Sequence, residues 1–207
     1  MKILIDVGCF NAKTGSDTYK LLSRKRDKWF GYMLEPNPHL KEDILRNLEK
    51  CDFSYHPYAI SDTNGTSPFY LGKYGYTNRR SPKDKTKCMR SSLCNDKDFI
   101  KEHLSEKSVE VITKTLNSFI HEQGIEKIDL LKIDTEGKDY DILKEFFKNP
   151  LVYPEKIITE DLCKGKGEEE QREIAKVKKQ LLIDNGYDLI HNDNINSEYK
   201  LKSSLVC

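Results

Sequence analysis

The sequence has 207 residues, of which 37% are hydrophobic and 33% are charged. Its 35 lysines and arginines nearly balance its 34 aspartates and glutamates, so the net charge favours neither nucleic acid nor a membrane surface as a partner. No apolar run approaches the ~20 residues that a membrane-spanning helix needs. The length suits one domain with a substantial core, and we predict that residues 1–207 form a single domain.

The N-terminus and the cysteines predict a cytoplasmic protein. Met1 and Lys2 lead directly into Ile3-Leu4-Ile5, which is too short for a signal peptide and is typical of a first strand. The six cysteines are scattered and form no Cys-x-x-Cys pair. This pattern suits a reducing compartment and disfavours a zinc site or a disulfide framework.

Strands and helices alternate through the first part of the sequence, as judged from apolar runs and helical periodicity. The predicted elements are a strand at 2–7, a helix at 16–26, a strand at 29–34, a helix at 39–50, a strand at 53–60 and, after a turn, a strand at 66–71 that returns antiparallel. The order β-α-β-α-β predicts a doubly wound sheet.

A basic segment without periodicity follows at about 72–95. Its basic residues are Lys73, Arg79, Arg80, Lys83, Lys85, Lys87 and Arg90. A long irregular segment in a compact domain is usually functional or disordered. We therefore interpret it as a loop insertion that contacts a polar or anionic acceptor.

The last part of the sequence continues the alternation. The predicted elements are a strand at 109–113, a helix at 116–123, a strand at 130–133, a helix at 139–147, a strand at 156–160, a helix at 167–185 and a hairpin of strands at 187–190 and 199–206. The whole pattern predicts an α/β fold that closes with an antiparallel pair.

The stretch 128–137 combines a buried strand with a cluster of charge. Lys132 interrupts the apolar run, and Asp134 and Glu136 follow it. Because side chains alternate along a strand, Lys132 and Asp134 should point to the same face. A structural ion pair would also explain them. A functional site explains them better, because burying two carboxylates and an amine without a role would cost several kcal/mol.

Acidic residues also end the first and second predicted strands. Asp6 belongs to Asp6-x-Gly8, and Glu35 follows the second strand. Open α/β sheets bind ligands at the carboxyl ends of their strands, and an acid after the second strand suits ribose hydroxyls. The first turn lacks Gly-x-Gly-x-x-Gly, and Asp6 would repel a pyrophosphate. The set fits S-adenosylmethionine, which has a ribose, an ammonium and a sulfonium but no phosphate, better than NAD.

Several short motifs occur in a recognisable order. They are Ile5-Asp6-Val7-Gly8, Leu34-Glu35-Pro36-Asn37-Pro38, Ala59-Ile60-Ser61-Asp62-x-x-Gly65, Ser91-Ser92-Leu93, Thr115-Leu116-Asn117-Ser118-Phe119 and Leu131-Lys132-Ile133-Asp134-Thr135-Glu136-Gly137. In this order they resemble the FkbM-type S-adenosylmethionine-dependent methyltransferases. The resemblance implies a Rossmann-like, mostly parallel seven-stranded sheet with a C-terminal antiparallel hairpin, the class I methyltransferase fold. It also implies O-methylation, commonly of sugar hydroxyls.

The strand ends, the basic segment and the resemblance together give the predicted site residues. The predicted cofactor contacts are Asp6, Gly8, Asn11, Glu35, Asn37, Ala59 and Ile60. The predicted acceptor contacts are Arg79, Arg80, Ser91, Ser92 and Glu160. One motif departs from the family pattern, which usually continues Asp-x-Gly into Ala-Asn-x-Gly, whereas this chain has Cys9-Phe10-Asn11-Ala12. Either the turn is longer here or Ala12 replaces the glycine.

Methylation of a sugar hydroxyl requires a base, because the hydroxyl is a very weak acid. We predict Asp134 as the base or orienting group and Glu136 as the second choice. Lys132 would keep Asp134 ionised or lower the pKa of the alcohol. Such carboxylates could also hold Mg²⁺, but the spacing does not demand it, and we predict no resident metal.

Two other functions fit parts of the sequence. The basic segment suits a nucleic-acid ribose 2′-O-methyltransferase, although lysine-rich loops are more often simply solvated. A binding module that retains a nucleoside pocket without turnover would explain Asp6 and Glu35. Such a module has no need of Lys132, Asp134 and Glu136 together, so we favour the enzyme.

Overall fold

The computed structural model describes residues 1–14, 17–24, 26, 28–72, 92–93, 104–161, 168–193 and 195–203. The elements within these ranges are β1 (Lys2–Val7), α1 (Asp17–Leu22), β2 (Trp29–Leu34), a 3₁₀ turn (Pro38–Leu40), α2 (Lys41–Asn47), β3 (Phe53–His56), β4 (Tyr58–Ile60), β5 (Gly65–Gly72), β6 (Leu104–Lys114), α3 (Leu116–Glu122), β7 (Leu130–Ile133), α4 (Asp139–Phe146), β8 (Lys156–Glu160), α5 (Glu168–Asp184), β9 (Tyr187–Asn192) and β10 (Asn196–Leu201). In this part of the chain no helix is long and apolar enough to cross a membrane.

The main sheet has seven strands in the order β3-β2-β1-β7-β8-β10-β9. The first five are parallel, whereas β10 is antiparallel to both β8 and β9. This arrangement confirms the predicted fold class. The register aligns the strand ends, because Val7 pairs with both Leu34 and Ile133, and Ile133 pairs with Thr159. The carboxyl ends of β1, β2, β7 and β8 therefore meet at one edge.

Helices cover both faces of this sheet. Neighbouring residues of one strand enter different hydrophobic clusters: Leu130 packs with Ile44 of α2, and Leu131 packs with Phe119 of α3 and Phe146 of α4. Each fully buried leucine or isoleucine stabilises the fold by about 1.5–3 kcal/mol. The apolar runs of β1 and β7 follow from this burial, because both faces of a central parallel strand are covered.

The predicted strand at 53–60 is wrong, because Pro57 divides it. Proline has no N–H to donate to a sheet, and β3 ends before it while β4 begins after it. β4 leaves the main sheet and pairs in parallel with β6, while β5 pairs antiparallel with β6 in a three-stranded sheet of order β4-β6-β5. The sequence did not predict this second sheet.

Several predicted boundaries are also corrected. β6 has 11 residues rather than the five predicted at 109–113. The predicted helix at 39–50 is a 3₁₀ turn followed by α2. β10 begins at Asn196 because the Asp193 carboxylate accepts hydrogen bonds from the backbone N–H groups of residues 195 and 196 and tightens the turn.

Candidate active site

A cavity opens where the carboxyl ends of β1, β2 and β7 meet. It contains about 530 Å³ of empty space, which includes open solvent. The described residues that line it are Val7, Gly8, Phe10, Glu35, Pro36, Tyr58, Ala59, Ile60, Phe69, Leu93, Asp134, Thr135, Glu136 and Lys138. Aromatic and aliphatic side chains from both sheets form one wall, and carboxylates occupy the strand ends.

Gly8 allows the turn after β1 to lie against the end of β7. Its φ is +79°, and a Cβ atom there would lie 2.0 Å from the backbone oxygen of Asp134. The backbone N–H of Asp134 donates a hydrogen bond of 3.0 Å to the carbonyl of Val7. A side chain at position 8 would therefore push these two segments apart, which explains why the turn needs glycine.

The rest of this turn decides between the two alternatives for Ala12. Ala12 has a φ of +56°, which glycine adopts most readily. Its side chain is fully buried, and its N–H donates a hydrogen bond of 2.8 Å to the carbonyl of Cys9. Ala12 thus takes the conformation that suits the glycine of the family pattern, without a longer turn.

Glu35 is fixed at the end of β2 by two backbone groups. Its Oε2 accepts a hydrogen bond of 2.9 Å from the N–H of Phe10, and its Oε1 accepts one of 2.9 Å from the N–H of Asn37. Burial raises the pKa of Glu35 to about 7, although these two hydrogen bonds oppose the rise. The carboxylate lines the cavity with its orientation set by the protein.

Lys132 lies between the carboxylates of Asp6 and Asp134 and is not among the described residues that line the cavity. Its Nζ lies 3.3 Å from Asp134 Oδ2 and 3.5 Å from Asp6 Oδ1. Burial disfavours the charge of Lys132, but Asp6 and Asp134 together raise its pKa above the ordinary value. The predicted contact between Lys132 and Asp134 is confirmed. The two carboxylates thus favour the charged form of Lys132.

Asp6 is fully buried and is not among the described residues that line the cavity. Its Oδ2 accepts a hydrogen bond of 2.6 Å from the hydroxyl of Thr18. Together with the Lys132 contact, this places Asp6 in the support of the site. The predicted attraction between Asp6 and a cationic ligand would therefore be indirect.

Three carboxylates meet beside the cavity. Asp134, Glu136 and Glu160 each offer an oxygen, and these three atoms lie within 4.8 Å of one another. Glu160 reaches this group because β8 is the parallel neighbour of β7. Glu136 has a φ of +56°, so its backbone bends sharply. Hard oxygen donors of this kind can bind Mg²⁺, and they can also act in proton transfer.

The model of the methyltransferase FkbM domain matches residues 6–189 of this sequence. The chain belongs to the FkbM methyltransferase family. The match covers most of the chain, including six of the seven strands of the main sheet in whole or in part, and ends before β10. It confirms the resemblance drawn from the ordered motifs.

Two other proteins extend this comparison. The 2-O-methyltransferase NoeI of Sinorhizobium fredii (strain NBRC 101917 / NGR234) is 26% identical over 145 residues, which are 68% of this chain and 56% of NoeI. The chain thus spans little more than half the length of this curated relative. The crystal structure of methyltransferase FkbM from Methylobacillus flagellatus KT matches 96% of this chain and 43% of its own, with a TM-score of 0.55 and 11% identity. That likeness shows the shared fold.

The other predicted site residues differ in where they lie. Ala59 and Ile60 line the cavity. Asn11 and Asn37 make local backbone contacts: Asn11 Oδ1 accepts from the N–H of residues 13 and 14, and Asn37 Oδ1 accepts from residue 39 at the 3₁₀ turn. Ser92 is buried, and its hydroxyl lies 3.1 Å from the carbonyl of Glu136. Arg79, Arg80 and Ser91 lie outside the described residues.

Several cavity residues were missed by reading the sequence. Phe10 stands inside the turn motif but was read as a turn residue, while Tyr58 and Phe69 belong to the second sheet, which was not predicted. Thr135 and Lys138 flank predicted catalytic residues. The available signal was the position of Tyr58 next to the Ala59-Ile60 motif, because all three residues belong to the short strand β4.

Proposed function

We propose that this chain transfers a methyl group from S-adenosylmethionine to a hydroxyl of a sugar or glycan acceptor. The observation that supports this most is the charge of the cavity. Among the described residues that line it, Glu35, Asp134 and Glu136 are acidic and Lys138 is basic. A surplus of negative charge suits a cationic cofactor with a ribose and disfavours the pyrophosphate of NAD.

The residues present fit this cofactor. Glu35, held by two backbone amides, keeps lone pairs with which to accept hydrogen bonds from ribose hydroxyls. Phe10, Tyr58 and Phe69 provide flat apolar surface for an adenine ring. The cofactor supplies an electrophilic methyl group on its sulfonium; the protein has to exclude water, orient the acceptor oxygen and remove its proton.

Asp134 is the residue best placed to receive that proton. Its side chain is 35% exposed and lines the cavity, whereas the side chain of Lys132 beneath it is 14% exposed. The ammonium of Lys132 lies 3.3 Å from Asp134 Oδ2, and a carboxylate in this position can act as a general base toward an acceptor hydroxyl. An oxygen acceptor agrees with this chemistry and with the 2-O-methyltransferase name of the relative NoeI.

The proposal is tested by incubating the protein with S-adenosylmethionine and a panel of methyl glycosides and oligosaccharides. We expect release of S-adenosylhomocysteine with at least one sugar, and we expect the activity to persist in EDTA. Methylation of RNA in place of sugars, with strong salt dependence, would favour the ribose 2′-O-methyltransferase. Binding of S-adenosylhomocysteine without turnover on any acceptor would favour the binding module. Measurable NAD binding with S-adenosylmethionine ignored would contradict the proposal.

Glu35 predicts a pH dependence of cofactor binding. Because its pKa is raised to about 7, the carboxylate is mostly ionised at pH 8 and mostly protonated at pH 6. A protonated carboxyl can accept fewer hydrogen bonds from the ribose hydroxyls than the carboxylate can. The Kd for S-adenosylhomocysteine, measured by calorimetry, should therefore increase roughly tenfold from pH 8 to pH 6.

Glu35→Gln is the matched control for this prediction. Glutamine keeps the size of the side chain but does not titrate, so its Kd should vary little over the same pH range. At pH 8 it should bind S-adenosylhomocysteine more weakly than the wild type, by about 1.5–3 kcal/mol, the contribution of a hydrogen bond to a charged group. If the variant and the wild type show the same pH dependence, another group is responsible.

A further inference from the structure

Asp139 is a buried carboxylate that the sequence did not single out. It begins α4 and is 4% exposed. Its Oδ1 accepts hydrogen bonds of 3.0 Å from the N–H and 2.6 Å from the hydroxyl of Thr135. Its Oδ2 accepts hydrogen bonds of 2.9 Å from the hydroxyl of Thr159 and 3.2 Å from the N–H of Glu160. Each oxygen therefore holds one backbone amide and one threonine hydroxyl.

These four hydrogen bonds join two separate segments of the site. Thr135 lies between Asp134 and Glu136 in the loop after β7. Thr159 and Glu160 end β8, and the three carboxylates carried by these two segments come within 4.8 Å of one another. The loop after β7 is thus attached to the end of β8 by the side chain of one residue, which is 20 positions from Thr159 along the chain.

Lys178 of α5 contacts the end of β8 in this network. It is 1% exposed, and its Nζ lies 3.3 Å from Thr159 Oγ1 and 3.5 Å from Asp161 Oδ1; it also donates a hydrogen bond to the carbonyl of Glu160. The Thr159 hydroxyl accepts from Lys178 and donates to Asp139. Burial raises the pKa of Asp139, and the charge of Lys178 opposes that rise. The fold thus places a carboxyl group and an amine in its interior, and their burial carries a desolvation cost.

We infer that Asp139 is a positioning residue, which holds Asp134 and Glu136 against Glu160 so that the three carboxylates act on one acceptor hydroxyl. The inference rests on the proposed function for its chemistry, but its geometry is independent of the acceptor. A mere helix cap is the competing explanation, since an acid at a helix N-terminus is stabilising. The hydrogen bonds described above go instead to the loop and to β8, outside α4.

Asp139→Asn tests this role while keeping the shape of the side chain. Whichever way the amide is turned, its NH₂ group faces a backbone N–H that has lost its acceptor, so one segment is released. We expect kcat to fall about 10–100-fold on any hydroxyl acceptor that the wild type methylates, because small misplacements at a reacting centre have effects of this size. The Kd for S-adenosylhomocysteine should change less than threefold, because none of the four hydrogen bonds of Asp139 goes to Glu35 or Gly8.

A second readout needs no acceptor. The ¹³C carboxyl resonances of Glu136 and Glu160 should shift in Asp139→Asn at a temperature where calorimetry shows the variant to be folded. Thr159→Val, which removes one of the four hydrogen bonds, should give a smaller change of the same kind and remains available if Asp139→Asn does not fold. Glu145→Gln removes a carboxylate from the same helix, where Glu145 pairs with Lys148, and should change neither readout.

The outcomes separate this inference from the proposed function. If no sugar is methylated but the carboxyl resonances shift, the acceptor assignment is wrong and the positioning role holds. If the folded variants keep both the wild-type carboxyl spectrum and, with any accepted substrate, the wild-type kcat, Asp139 only caps α4. A loss of activity that follows the loss of thermal stability, and disappears at lower temperature, would also contradict the inference.

Discussion

Asp134→Asn should lower kcat by about 10²–10⁴-fold, the usual contribution of a general base. Asparagine keeps the shape of the side chain but cannot accept the proton of the acceptor hydroxyl. It also leaves Lys132 with Asp6 as its remaining carboxylate contact within the described chain. Cofactor affinity should change little if the role is chemical, and substantially if Asp134 contacts the cofactor ammonium. Steady-state kinetics together with calorimetric titration of S-adenosylhomocysteine separate these two roles.

Asp129→Asn provides a matched control at the other end of β7. Asp129 is buried, its Oδ2 accepts a hydrogen bond of 2.7 Å from the N–H of Ile3, and its Oδ1 lies 2.9 Å from Lys127 Nζ. Its replacement should lower stability but leave the kcat of the folded protein unchanged. If Asp134→Asn retains near-full activity with an accepted substrate, the base lies elsewhere, and Glu136 and then Glu160 are the next candidates.

The main sheet was predictable because its strands carry strong local signals. The predicted bounds of β1, β2 and β8 agree with the structure, since each is a short apolar run ended by a charged or turn-forming residue. Once the strands alternate with helices, parallel pairing brings Glu35 and Asp134 to the same edge. Because both residues follow parallel strands whose carboxyl ends share this edge, they could be assigned to one site although they are about 100 positions apart.

The second sheet was not predictable by the same means. β4 has three residues, and its partner β6 lies about 50 positions later. Local periodicity contains no information about which distant strand a short strand joins. The one local warning was Pro57, because a proline cannot continue a ladder of hydrogen bonds. Tyr58 and Phe69 were missed as cavity residues for this reason.

The supporting roles of Asp6 and Asp139 in the site could not be predicted from the sequence either. Asp6 and Asp139 are both acids next to site motifs, and both face buried lysines or threonines. A carboxylate that binds a ligand and one that holds a neighbouring side chain look the same in a sequence, because both follow a strand or begin a helix. What distinguishes them is the direction of the side chain, which depends on packing against α1, β8 and α5.

Gly8→Ala should destabilise the protein by about 3–5 kcal/mol, among the largest effects of a single substitution. The added Cβ would lie 2.0 Å from the carbonyl oxygen of Asp134, and φ at this position is +79°. To relieve this clash, the turn after β1 would have to move away from the end of β7. That movement would separate Glu35 from Asp134 across the cavity. We expect a decrease in Tm of roughly 10 °C or more, and a large loss of S-adenosylhomocysteine binding.

Gly124→Ala isolates the steric part of this effect. Gly124 also has a positive φ, +60°, but a Cβ built there meets nothing within 4 Å. It should therefore lose about 1–2 kcal/mol from backbone strain alone, and its cofactor affinity should equal that of the wild type. Calorimetric unfolding of both variants gives the comparison.

If Gly8→Ala is no less stable than Gly124→Ala, the turn after β1 does not pack closely against the end of β7, and the cavity is built differently at this point. If it is less stable and fails to bind the cofactor, the contact between Gly8 and Asp134 holds the two halves of the site together.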